Sequence, residues 1–80
     1  MNIQLIQGQF NAKDAIDTIT QMIHVKVKYH ENRINSSSNE EDIKMRETKI
    51  KRLQKELYEA RNYIELAGKV TVQSEILLTK

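Results

Sequence analysis

The chain has no cysteine, and no cluster of its other side chains is spaced like a metal site, so neither a disulfide nor a bound ion is available to staple a small domain. Long apolar runs are missing too. Nothing approaches the ~18 residues that span a bilayer, and the first ten residues carry neither the charged start nor the apolar core of a signal peptide. There is no glycine-rich phosphate loop, no nucleophile beside a base and no pair of carboxylates set in an apolar stretch. These absences point to a soluble, cytoplasmic protein that is not an enzyme and holds no cofactor or metal. Eighty residues make one domain (1–80) with a thin core. With two staples gone, oligomerisation is the one left.

Charge says little about partners. Lys and Arg number 13 against 11 Asp and Glu, so the pI of about 9.0 reflects a small surplus rather than a basic surface.

What is present is a heptad stripe. From Glu40 to Gly68, positions 43, 46, 50, 53, 57, 60, 64 and 67 read Ile, Arg, Ile, Leu, Leu, Ala, Ile, Ala. Alternating steps of three and four keep these side chains on one narrow line of a helix, the seam that one helix offers another. Upstream, Ile3 and Leu5 alternate with Gln4 as in a strand over about 2–10, with Gly8 as the expected bulge or strand end. Asn11 is placed to cap a helix over about 12–34, with Asp14 in its first turn. Its apolar face is Ala12, Ala15, Ile16, Ile19, Met22, Ile23, Val27, His30 and Ile34. Residues 23–29 alternate with period two and are rich in β-branched side chains, but the helical period on both sides overrides a strand there.

Asn35 to Asn39 is a polar turn whose side chains bond their own backbone, and it folds the chain into a helical hairpin. Ser38 or Asn39 caps the second helix, over about 40–67, with Ser38 and Glu41 at capping-box spacing. Glu40 with Lys44, and Glu47 with Lys51, are expected ion pairs on its exposed side. Gly68 closes that helix. Val70, Val72, Ile76 and Leu78 then alternate with polar residues in a strand over about 70–78.

The candidate chemistry is sparse. His24 and His30 are six apart and face away from each other, too far round a helix to share an ion, and His30 lies on the apolar stripe as a hydrogen-bonded core residue. Asp17, His24 and Glu31 recur every seven residues on a face that reads as solvated. Arg46, in the seam, either packs its stem while its head reaches solvent or fixes register as polar seam residues do. Tyr29, Tyr58 and Tyr63 either present a contact surface, as tyrosine does at interfaces, or pack at helix edges, the reading preferred. The one local charge bias is Lys44, Arg46, Lys49, Lys51, Arg52 and Lys55 against Glu47 alone, of which Lys44, Lys49, Lys51, Arg52 and Lys55 are the candidate nucleic-acid contacts.

The expected fold is therefore α+β, β-α-α-β, with a long antiparallel helical hairpin and two short terminal strands. Two strands leave open edges, so a homodimer with a four-stranded sheet beneath four helices is the economical assembly. The expected role is a small protein-interaction or assembly module that pairs with itself or with another protein. The alternative is a nucleic-acid-binding or regulatory module using the basic middle of the second helix.

Overall fold

Asn11 ends a strand and opens a helix in one step. Its side chain accepts the Asp14 amide at 2.9 Å while its own backbone stays extended, so no loop separates the two elements. The computed structural model describes residues 1–80 as strand β1 (Asn2–Asn11), helix α1 (Ala12–Ser36), helix α2 (Glu40–Ala67) and strand β2 (Lys69–Leu77). The two strands form one antiparallel sheet within the chain. At ten and nine residues they lie within a residue of the expected 2–10 and 70–78 at each end.

Residues 23–29 are helical throughout. Ile23 and Val27 are half-buried, while Val25 is exposed. Helix α1 runs two residues past the expected end because the Ser36 hydroxyl donates back to the Asn32 and Arg33 carbonyls instead of leaving the helix. Only Ser37, Ser38 and Asn39 then remain between the helices. Asn39 caps α2, accepting from the Glu41 and Asp42 amides, and the Ser38 capping box does not form. Nor do the expected Glu40–Lys44 and Glu47–Lys51 pairs. The ion pairs present are Asp42–Arg46 and the exposed Arg52–Glu56, the latter worth little in water.

At the far end of α2 Gly68 closes the helix as expected, at φ 78°, ψ −40°, a positive-φ corner whose N–H donates to the Ile64 carbonyl. A side chain at this φ would be strained.

The bulge in β1 lies at Leu5, not at Gly8, which pairs in register with Val72. The extra residue turns Leu5 to solvent and shifts the alternation, so that Ile3, Ile6 and Phe10 share one half-buried face with Gly8. On β2 the matching half-buried residues are Val70, Val72 and Ser74.

All the seam positions of α2 up to Ile64 are at least half-buried, and Ala67 is exposed. The sheet contacts the hairpin sparingly, much less than strand contacts strand or helix contacts helix. Ala15 (0% exposed) and Ile64 (3%) pack near the ends of the helices that adjoin the strands, and with His30 (5%) they are the only buried residues. The backbone spans 44 × 33 × 13 Å. Its radius of gyration is 15.1 Å, whereas a compact chain of this length has about 11.6 Å.

Burial decides which apolar side chains matter. Ile64→Ala should cost about 2–5 kcal/mol in urea unfolding, whereas Leu66→Ala, two residues on at a position 91% exposed, should stay within about 0.5 kcal/mol of the parent. Equal losses would show that the seam does not face α1.

Candidate functional site

The buried histidine and the polar seam residue find each other across the hairpin. His30 comes from the last third of α1 and Arg46 from the second turn of α2, 16 positions apart, and the antiparallel fold sets them side by side. Arg46 Nη1 lies 3.0 Å from His30 Nδ1, and its Nε donates to Asp42 Oδ2 at 3.2 Å. The head of Arg46 thus turns inward across the seam and does not reach for solvent as its stem-packing reading required. Tyr29 completes the cluster, with its ring edge-on to His30 and the Arg33 and Arg46 guanidinium groups 5.3 and 5.8 Å from its centre.

The partner assigns the tautomer. A guanidinium only donates, so Nδ1 accepts and Nε2 carries the proton. Nε2 is buried and has no hydrogen-bond partner. Adding a second proton would set Nδ1–H against Arg46 N–H, two donors facing each other. The imidazole is accordingly held below its ordinary 6.5, first by desolvation and then by the cations Arg46, Lys49 and Lys26, with Asp42 pulling the other way. General acid–base work needs a nitrogen that a substrate can reach. His30 joins α1 to α2 through its contact with Arg46.

Two grooves flank the hairpin. On one side Lys26 of α1 joins Lys49, Arg52 and Glu56 of α2 above His30 and Leu53. On the other, His24 and Glu31 sit with Ile23, Val27, Gln54 and Leu57. The two histidines thus line opposite grooves, and Asp17 lies outside the groove that holds His24 and Glu31. No three His, Asp or Glu side chains converge as a metal site.

The five candidate nucleic-acid contacts divide. Lys49 and Arg52 face the groove with Lys26, while Lys44, Lys51 and Lys55, at steps of seven and four, follow a separate exposed line along α2. Sequence reasoning missed Lys26, because only the hairpin brings it to α2. Tyr58 and Tyr63 are not packed at helix edges; they stand 69% and 71% exposed. Tyr63 borders a third groove, apolar, between the last turns of α2 and the first half of β2. No helix is long and apolar enough to cross a membrane.

Protonation of His30 should weaken the fold. Its folded value lies below the unfolded one, so the folded state binds fewer protons and stability falls as pH drops below about 6.5, levelling once the folded value is passed. Urea midpoints measured between about pH 7.5 and pH 5 should fall further for the parent than for His30→Gln, which keeps a neutral side chain. Parallel pH profiles would show that His30 titrates alike in both states. No family model, curated protein or solved structure matches the chain, so the functional reading comes from its own surfaces.

Proposed function

We propose that this protein is a non-enzymatic assembly module whose core is completed by a second copy of the chain, with the helical hairpin as the surface offered to a further protein partner. The supporting observation is the surface left uncovered. The chain exposes 6579 Å², against about 5,000 Å² for a compact monomer of its mass. The excess, about 1,600 Å² per chain, comes to roughly 3,200 Å² for two, inside the range of obligate homodimer interfaces.

The apolar content of that excess is visible along the whole molecule. Seam residues Leu53 and Leu57 are only half-buried by α1 alone, and Leu5, Met22, Met45, Tyr58, Tyr63, Leu66 and Leu77 are exposed. Both outer edges of the two-stranded sheet lack a neighbour, and such an isolated pair is marginal in water. A homodimer with a four-stranded sheet would give each strand pair a neighbour on one edge and cover apolar surface beside it. The basic groove supports a second reading, nucleic-acid binding, because Lys26 adds to Lys49 and Arg52 there. Glu56 in the same groove, paired with Arg52, weakens it.

Sedimentation equilibrium at micromolar concentration should give twice the 9.4 kDa chain mass. Added duplex DNA should leave that mass unchanged at physiological salt, with binding no tighter than about 10⁻⁴ M. Removing residues 70–80 should abolish association. A mass of 9.4 kDa throughout would eliminate the dimer, and comigration with submicromolar DNA would promote the second reading.

A further inference from the structure

The two open edges of the sheet are not equivalent. Along β1 the ladder is interrupted by the bulge at Leu5, and Gly8 sits at φ 149°. Bulges of this kind twist an edge away from further pairing. Strand β2 has no bulge over its nine residues.

The backbone direction of β2 follows from its two ends. The Gly68 carbonyl accepts from Ala12 N–H at 3.0 Å, and Leu78 N–H donates to the Met1 carbonyl at 2.8 Å. In an antiparallel ladder every second residue points its N–H and C=O the same way. The even-numbered residues of β2 therefore face β1, and Lys69, Thr71, Gln73, Glu75 and Leu77 turn theirs outward as an unbroken row.

The side chains along that row are self-complementary. Lys69 and Glu75 stand opposite Asn11 and Gln4 within the chain, both uncharged, and neither belongs to an ion pair. They are equidistant from Val72. Beside the same residue runs the apolar groove of ≈ 310 Å³ in which Ile19, Ala60, Tyr63 and Ile64 face Val70 and Val72. The edge that can accept a strand is thus also the edge with uncovered apolar surface.

We infer that β2 pairs antiparallel with β2 of a second copy about a two-fold axis at Val72, giving a four-stranded sheet in the order β1-β2-β2-β1. This rests on the homodimer reading and specifies its geometry. Each Lys69 then faces Glu75 of the second copy and each Thr71 faces its Gln73, both as hydrogen-bonded pairs. Val72 meets Val72 on the half-buried face. Residues opposite one another in an antiparallel pair share a face, so the apolar sides of the two sheets become continuous, and Val72 of the second copy comes to the mouth of the groove beside Tyr63.

Charge reversal tests the register. By sedimentation equilibrium at low salt, Lys69→Glu and Glu75→Lys should each raise the dimer Kd roughly tenfold, since each sets two like-charged pairs opposite one another. The double variant should return to within about threefold of the parent. Residue-resolved amide exchange supplies a second measurement: the N–H groups of Thr71, Gln73 and Glu75 should gain protection as concentration rises. A dimer in which the two reversals simply add, or whose new protection falls on β1, would overturn the β2 pairing and leave the homodimer standing. A parent that stays at 9.4 kDa would overturn both.

Discussion

The hydrogen bond from Ala12 N–H to the Gly68 carbonyl, 3.0 Å long, ties together the two points where strand becomes helix and helix becomes strand. Neither point has a loop to absorb error. Asn11 is both the last residue of β1 and the cap of α1, and Gly68 alone separates α2 from β2. Once these two residues are tied, the strands leave side by side and antiparallel, and the adjoining turns of the two helices are held close enough for Ala15 and Ile64 to become buried. The positive φ of Gly68 makes that corner possible.

Toward the other end, the hairpin is held by polar contacts instead. His30, Arg46 and Asp42 bridge the two helices there, and the bridge leaves one buried N–H unsatisfied. A half-satisfied polar group costs stability, but a single bonded pair between two long helices also selects one alignment over its neighbours, as polar seam residues do in coiled coils. The middle of the hairpin is held by neither device. Its seam leucines are half-buried, apolar surface that α1 alone does not cover.

Much of this was legible in the sequence wherever a period carries the information. Steps of three and four placed Ile43 through Ile64 on one line, and those residues are the ones turned inward. The same period correctly overrode the β-rich run from Ile23 to Tyr29. Where one side chain chooses among local partners, the sequence was less decisive. Asn39 took the cap that Ser38 could have formed, and Leu5 absorbed the bulge for which Gly8 was the obvious host, because a shift in alternation shows that an extra residue exists without showing which one it is. Long-range pairs were the least visible. Arg46 stood out as polar in the seam, yet its partner His30 and the arrival of Lys26 beside Lys49 depend on hairpin alignment. The symmetry of Lys69 and Glu75 about Val72 means something only once β2 is known to turn those backbone groups outward.

If one chain does not finish its own fold, its stability must depend on protein concentration. For a dimer that unfolds to separate chains, a hundredfold rise in protein concentration stabilises the folded state by about 2.7 kcal/mol, so the urea midpoint should climb steadily across that range. A midpoint that does not move would mean that the sparse core of Ala15, Ile64 and His30 sustains a folded monomer, and would contradict the account.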